Sequence, residues 1–198
     1  THTCAILDNG DVSCWGDGTN GGLGNGGTSK RTSPTLTSSL GAGRTAVAIS
    51  SGDYFSCALL DNGLVSCWGY GVYGQLGNGS TTSKTTPTLT SSLGTNRKAI
   101  ALTAGAYQAC AILDNGDMSC WGRGHYGQLG NGGTSTFPTT PTLTSSLGAN
   151  RTAAAISSGG GFTCAILDDG SVSCWGYGGN GRLGNGTTTD RNTPTQTS

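Results

Sequence analysis

The chain of 198 residues contains no glutamate, so all ten acidic residues are aspartate, and ten lysine and arginine residues balance them. Only two histidines are present, His2 and His125. A sparse and balanced set of charges excludes the basic footprint of a nucleic-acid-binding protein. Few side chains are therefore available to form a carboxylate pair or a catalytic triad, and we expect no enzyme activity.

Long apolar segments are also missing, since no run approaches the roughly eighteen residues that would span a bilayer. We therefore expect no membrane insertion. Residues 1–3 contain neither an initiator methionine nor a signal peptide. This beginning is typical of a processed chain or of one cut from a longer protein.

One sequence segment occurs four times, first at residues 3–16 and then at spacings of 53, 53 and 54 residues. A repeat of this length is typical of propellers and solenoids, in which each unit buries its apolar face against a copy of itself. The whole chain is then a single repeat array, whose last unit is truncated. The units cover about 1–53, 54–106, 107–160 and 161–198.

Each unit contains signals for four short strands and none for a helix. In the first unit these are a hairpin from Cys4 to Trp15, a Pro-Thr-Leu-Thr strand starting at Pro34, and an apolar run over 46–50. Pro34 at the first position of its strand would suit an outer edge. The four tryptophans of the hairpins, of which Trp15 is the first, are expected to fill the gaps between neighbouring units.

The cysteine spacing selects the register of the hairpin. A two-residue Asn9-Gly10 turn would leave the two sulfurs diagonal to each other. A type I turn at Asp8-Asn9, followed by Gly10 in the left-handed region, instead sets Cys4 opposite Cys14 at a non-hydrogen-bonded pair. We expect one local disulfide bond in each unit and, from these, an oxidising extracellular location. The predicted bonds are Cys4–Cys14, Cys57–Cys67, Cys110–Cys120 and Cys164–Cys174.

The repeated strings Cys-Ala-Ile-Leu-Asp-Asn-Gly, Ser-Cys-Trp-Gly, Tyr-Gly-Gln-Leu-Gly-Asn-Gly and Pro-Thr-Leu-Thr resemble the regulator of chromosome condensation repeat. The resemblance covers almost the entire chain. It implies an all-β propeller-type array of four-stranded blades, commonly seven to a ring. The paired cysteines resemble a secreted bacterial branch of that family. Its best known nuclear activity, nucleotide exchange on a GTPase, is not carried over, because this chain lacks a basic face.

The strand signals do not complete the fourth unit. Four hairpins and four proline strands are accompanied by only three apolar inner strands, so we expect an incomplete ring. Either the chain is part of a longer one, or another chain supplies further blades. An open arc has exposed ends, and association with copies of itself follows as a hypothesis.

Two motifs suggest ligands but fit turns better. Gly16, Gly18 and Gly21 form a Gly-x-Gly-x-x-Gly pattern that recurs in every unit, yet dinucleotide binding needs a βαβ unit that is absent. The oxygen-rich segment 8–11 could suggest calcium, but Asp8 and Asn9 are also ordinary turn residues. The cysteine spacing does not match a zinc site. We expect no cofactor and no metal.

Loop positions that vary between units are the candidate partner-binding residues. Aromatic and arginine side chains in such loops are typical contacts for a protein or a carbohydrate partner. Solvated turns are the alternative interpretation. The candidates are Tyr54, Tyr70, Tyr73, Tyr107, Arg123, Tyr126, Phe137 and Tyr177, and the insertion near Thr136 and Phe137 makes the third loop the most individual.

The sequence leaves three functional hypotheses open. The leading one is a non-enzymatic extracellular scaffold that builds a filament, sheath or surface layer, since its units are neutral and nearly identical. The second is a secreted binding module or protein inhibitor acting through its loops. Nucleotide exchange on a GTPase is a third and weaker hypothesis, which would require a reduced intracellular protein.

The redox state of the cysteines provides a first test. We expect the denatured chain to take up no alkylating reagent before reduction and to be alkylated at all eight cysteines after it, as measured by intact mass. Alkylation of eight thiols without reduction would contradict the extracellular location.

Overall fold

The computed structural model describes residues 2–134 and 137–198, and almost all regular structure within them is β-strand. Two short 3-10 turns, Thr19–Gly21 and Gly179–Gly181, are the only helical elements of this part. No helix of the described residues is long and apolar enough to cross a membrane. The strands are β1 His2–Ile6, β2 Val12–Gly16, β3 Arg31–Leu36, β4 Ala46–Ser51, β5 Phe55–Leu60, β6 Val65–Gly69, β7 Lys84–Leu89, β8 Ala99–Ala104, β9 Gln108–Leu113, β10 Met118–Gly122, β11 Thr142–Leu143, β12 Ala153–Ser158, β13 Phe162–Leu167, β14 Val172–Gly176 and β15 Arg191–Gln196.

These strands form four antiparallel sheets, which we call blades I to IV. Blade I has the three strands β1–β3, and blades II, III and IV have four strands each, β4–β7, β8–β11 and β12–β15. The first strands β4, β8 and β12 lie side by side. Backbone N–H groups of Ala104 and Ser158 donate to the hydroxyls of Ser50 and Thr103 on the preceding blade. The all-β propeller-type array is therefore confirmed.

The hairpin of each blade has the bulged turn that the cysteine spacing predicts. The Gly10 N–H donates to the Leu7 carbonyl, the Leu7 N–H donates to the Asp11 carbonyl, and Gly10 has a φ of 81°. Cys4 consequently faces Cys14 with their Cα atoms 4.1 Å apart. The structure contains the four expected disulfide bonds, Cys4–Cys14, Cys57–Cys67, Cys110–Cys120 and Cys164–Cys174.

The expectation that Pro34 begins its outer strand is wrong. Strand β3 begins at Arg31, so Pro34 is its fourth residue, and Pro87 and Pro194 have the same place in β7 and β15. The register of β2 and β3 shifts between Cys14 and Gly16, next to the proline. A proline has no N–H to donate, and a register shift at an edge strand is a place where that loss is tolerated.

Tryptophans join each blade to the one before it. The side chains of Trp68, Trp121 and Trp175 are fully buried. Each indole N–H donates, over 3.0 Å, to a main-chain carbonyl in a loop of the preceding blade. The acceptors are Gly22, Gln75 and Gln128. The ring fills space and its only polar atom is paired, which is what burial of tryptophan requires.

Trp15 is the exception to the predicted role of the tryptophans. It belongs to blade I, no described blade lies before it, and its side chain is only half-buried. The prediction holds for the three tryptophans whose indole rings have a preceding blade to contact.

Glycine in the preceding loop makes room for each indole. A Cβ on Gly77 would lie 2.7 Å from Nε1 of Trp121, and Gly77 has a φ of +65°. Gly24 and Gly130 stand in the same relation to Trp68 and Trp175. No other residue type could occupy these positions without moving the ring, since interiors are close-packed.

We therefore expect Gly77→Ala to destabilise the chain more than Gly79→Ala. Both place a methyl group at positive φ, at a cost of about 1 kcal/mol, but the nearest atom to a Cβ at Gly79 is 3.7 Å away. Only Gly77→Ala forces a clash with the indole, and overpacking adds about 1–3 kcal/mol. Urea unfolding of the two variants measures the difference, and equal losses would contradict the role given to this contact.

Candidate protein-binding surface

The two ends of the blades carry different side chains. Because the strands are antiparallel, the hairpin turns such as residues 8–10 and the loops that precede β4, β8 and β12 lie at one end, the hairpin end. The loops β4–β5 and β6–β7, with their equivalents in blades III and IV, lie at the other, the loop end. All eight candidate partner-binding residues are in the loops of that end.

In blades II, III and IV the same hydrogen bond joins the two loops of the loop end. The N–H groups of Tyr70, Arg123 and Tyr177 donate to the carbonyls of Tyr54, Tyr107 and Gly161, each over 2.9 Å. The glycine before each donor allows the close approach. Gly122, for example, has a φ of +97°, and a Cβ there would be 2.5 Å from the Tyr107 carbonyl oxygen. Sequence and local geometry thus place these side chains next to one another.

Five rings form a cluster across blades II and III. Tyr73 is at its centre, with its ring centroid 5.9 Å from that of Tyr70, 5.4 Å from Tyr107 and 5.3 Å from Phe137. Phe137 is in turn 4.6 Å from the ring of His125. These separations are within the range of favourable aromatic pairs, so the rings support one another in place.

Arg123 lies against this cluster. Its guanidinium carbon is 5.4 Å from the centroid of the Tyr73 ring and 5.8 Å from that of Tyr107. Both distances are within cation–π range. Its Nε is buried and has no hydrogen-bond partner among the described residues.

A second, smaller cluster lies on blades III and IV. The rings of Tyr126 and Tyr177 are 4.9 Å apart, and Arg182 lies 4.4 Å from the centroid of Tyr177 and 5.9 Å from that of Phe162. The Arg182 Nε donates to the carbonyl of Gly179 over 2.8 Å. Because His125 and Tyr126 are adjacent in sequence, the two clusters share a loop.

We call the two clusters together the aromatic surface. Tyr126 and Phe137 are each 37% exposed, and His125 is exposed as well, so the surface is open to solvent. It consists of Tyr70, Tyr73, Tyr107, Arg123, His125, Tyr126, Phe137, Phe162, Tyr177 and Arg182.

Tyr107 is the member whose ionisation is perturbed. Burial raises the pKa of its phenol, and the negative charge of Asp53 raises it further. The neighbouring phenols of Tyr54, Tyr73 and Tyr70 act in the same direction. The hydroxyl group is therefore neutral at physiological pH and can both donate and accept hydrogen bonds.

Seven of the eight predicted residues enter ring or cation–π contacts in the aromatic surface. Tyr54 makes no ring pair among the described residues, although its phenol lies near enough to Tyr107 to affect its pKa. Thr136, next to the predicted insertion, lies outside the described residues. Variation between the repeat units indicated these residues, but it did not indicate which rings contact one another across blades.

Sequence reasoning missed Arg182 as a member of the surface. Its place in unit four corresponds to Gln75 and Gln128 in units two and three, which are buried, with a side-chain oxygen that accepts from the N–H of Tyr73 or Tyr126. Comparing units at that position would have found it. Blade I has Asp17 and Asn20 where blade II has Tyr70 and Tyr73, so the surface does not continue there.

Among residues 2–134 and 137–198, no group of three or more histidine, cysteine or acidic side chains could hold a metal ion. The geometry of the loop end is that of a contact surface made of rings and guanidinium groups.

Comparisons with known proteins agree with the fold. The profile described as "Regulator of chromosome condensation (RCC1) repeat" matches residues 9–59, 62–112, 115–166 and 169–198, and a second profile of the same repeat matches 46–75, 99–128 and 153–182.

Curated relatives include the human E3 ubiquitin-protein ligase HERC2, 36% identical over 190 residues, which cover 94% of this chain and 4% of the ligase. The ultraviolet-B receptor UVR8 of Arabidopsis thaliana is 34% identical over 197 residues, which cover 98% of this chain and 43% of the receptor. The chain thus spans less than half the length of either relative.

Solved structures give the same picture. Human WBSCR16 superposes on the entire chain with a TM-score of 0.87 at 23% identity, and the match covers 50% of WBSCR16. Yeast RCC1 (Prp20), in a structure with Kap60, superposes with a TM-score of 0.84 at 20% identity, and the match covers 46% of it. At these identities the likeness concerns the fold alone.

Proposed function

The chain belongs to the regulator of chromosome condensation (RCC1) repeat family, and from this membership we propose that it is a protein-binding propeller array whose partner docks on the aromatic surface. The observation that carries the proposal is the contiguous set of tyrosine, phenylalanine and arginine side chains across three blades. These residue types dominate the energetics of protein interfaces.

The surface is also arranged before any partner arrives. The rings contact one another at centroid distances of 4.6–6.4 Å, and their loops are tied by main-chain hydrogen bonds. Ordering of side chains on binding costs free energy, and rings that already restrain one another lose less. A preorganised aromatic surface can therefore bind tightly without being large.

The activities of the relatives are not carried over with the family. HERC2 is a ubiquitin ligase, but this chain matches only 4% of it. Yeast RCC1 has been studied for binding to Gsp1p and histones, and its identity of 20% to this chain supports the fold alone. The absence of enzyme activity and of GTPase nucleotide exchange therefore stays a prediction.

We propose that the chain is extracellular. All eight cysteines are paired in the four disulfide bonds, none is free among the described residues, and such pairing is typical of secreted and cell-surface proteins. The relatives do not test this proposal, and a secreted bacterial-type branch of the family stays a prediction in the same way.

An extracellular scaffold made of many copies is the second candidate function. Ile166 on blade IV is 47% exposed, while the equivalent Ile112 of blade III is fully covered by blade IV. A further blade, whether from a continuation of this chain or from another copy, could cover the face that carries Ile166. The comparisons give no support to a filament or sheath, so this role stays a prediction.

Site-specific photo-cross-linking separates the two candidates. We expect benzoylphenylalanine in place of Phe137 or Tyr126 to form a covalent adduct with another protein when the chain meets the secreted and surface proteins of its organism. The same probe at Leu64, on the hairpin end and 41% exposed, is the matched control. Mass spectrometry identifies the adducts and the cross-linked residues.

An adduct that forms equally at Leu64, or none at the loop-end positions, would overturn the binding proposal. Covalent dimers of the chain, formed from a probe at Ile166, would favour the scaffold.

A further inference from the structure

Charges are distributed unequally over the two ends of the blades. Seven of the ten aspartates lie in the hairpin turns, at positions 8, 11, 61, 114, 117, 168 and 169. The loop end carries the aromatic surface, whose charged members are two arginines and no acid. The chain is neutral as a whole, so this separation is a property of its arrangement.

Arginines of the hairpin end are already paired with those aspartates. Arg44, Arg97 and Arg151 each lie 3.0–3.3 Å from carboxylate oxygens of the same blade. The acceptors are Asp61, Asp114, Asp168 and Asp169. These ion pairs are exposed, so each contributes little to the stability of the fold. Each of these guanidinium groups nevertheless already has a carboxylate partner within the chain.

Arg123 differs from these arginines in its surroundings. Within the described part of the chain its guanidinium group has no ion pair and donates no hydrogen bond, and its Nε is buried. Two tyrosine rings cover it at cation–π distance. The group is therefore partly removed from water, and its N–H donors are unused within the described residues.

A partly desolvated guanidinium is complemented best by a carboxylate. Arginine presents its N–H groups as a planar fork, which matches the two oxygens of a carboxylate in a bidentate pair. Arg182 on blade IV also lies over a tyrosine ring, that of Tyr177, but it is exposed and its Nε donates to the carbonyl of Gly179. A second, solvent-exposed arginine on the same surface adds positive charge for an acidic segment.

The acids near the surface form no ion pair with these arginines within the described residues. Asp190 accepts a hydrogen bond from the N–H of Gly178 over 2.8 Å. Asp53 lies near Tyr107, where its charge raises the pKa of the phenol, and it forms no ion pair with Arg123. The two arginines of the aromatic surface therefore have no carboxylate ion-pair partner within the described residues.

Resting on the proposed function, we propose that the partner of the aromatic surface is an acidic protein segment. A side-chain carboxylate of this segment pairs with Arg123, and apolar or aromatic side chains beside it pack on Tyr73 and Tyr107. A neutral carbohydrate would use the rings and could accept hydrogen bonds from the guanidinium through its hydroxyl oxygens, but it brings no negative charge to pair with the arginine, which is why the acidic peptide is favoured.

Selection from a random peptide library displayed on phage tests the inference without knowledge of the natural partner. The immobilised chain is the bait, and the enriched peptides are synthesised and titrated by fluorescence anisotropy. We expect enrichment of aspartate and glutamate next to aromatic or aliphatic residues. Affinity should fall as salt is raised, because the pairing is electrostatic.

Substitutions test whether Arg123 is responsible for the preference for acidic peptides. Arg123→Gln should lower the affinity for the enriched peptides by about tenfold to a hundredfold, which is the range for loss of a charge-assisted hydrogen bond. The affinity of Arg123→Lys should lie between those of Arg123→Gln and the unaltered chain, because lysine keeps the positive charge but lacks the planar fork of donors. Arg97→Gln, which removes a paired arginine of the hairpin end, is the matched control and should bind as the unaltered chain does. Thermal unfolding of each variant checks that its fold is intact.

Enriched peptides without acids, no enrichment above uncoated beads, or equal binding by Arg123→Gln would each overturn the acidic segment. Binding to a glycan array that is unaffected by Arg123→Gln would assign the surface to carbohydrate instead. If loop-end cross-links form while the peptides lack acids, the binding function stands and only this inference fails. If neither loop-end cross-links nor acid-containing peptides are found, both the proposed binding function and this inference fail.

Discussion

The contact between each buried indole and the loop of the preceding blade is the constraint on which this structure depends. Trp121 donates to the carbonyl of Gln75 and packs on Gly77, and both residues follow Tyr73 in one short loop. The hydrogen bond satisfies the polar atom of the largest buried side chain, and the glycine sets how closely two blades approach. Blade packing therefore fixes the same loop that carries the centre of the aromatic surface.

Disulfide bonds add to the packing between blades. The buried residues include many alanines and serines, each of which contributes little apolar area. A bond across every hairpin closes a short loop and lowers the entropy of the unfolded chain, worth about 3 kcal/mol each by the chain-entropy model. The rigid framework that results lets the loop end present exposed rings without support from a partner.

Much of the architecture could be predicted from the residues. The spacing of Cys4 and Cys14 determined the bulged turn, because only one register sets the sulfurs opposite each other. Repetition indicated the blades, and variation between units indicated the exposed loops. The limits of the outer strands could not be obtained in this way, since the strand begins before Pro34 and tolerates it at a register shift. Burial of a tryptophan likewise depends on a neighbouring blade, which Trp15 does not have in the described structure.

The pairing of rings across blades also lay beyond sequence reasoning. Tyr73 and Tyr107 are separated along the chain and meet only because two blades stack, so local patterns carry no record of the contact. Nuclear Overhauser effects between aromatic protons of the free chain test the account most directly. It predicts cross-peaks that join Tyr73 to both Tyr107 and Phe137, whose centroids are 5.4 and 5.3 Å away. Rings that give no such cross-peaks in the folded chain would contradict a preassembled aromatic surface.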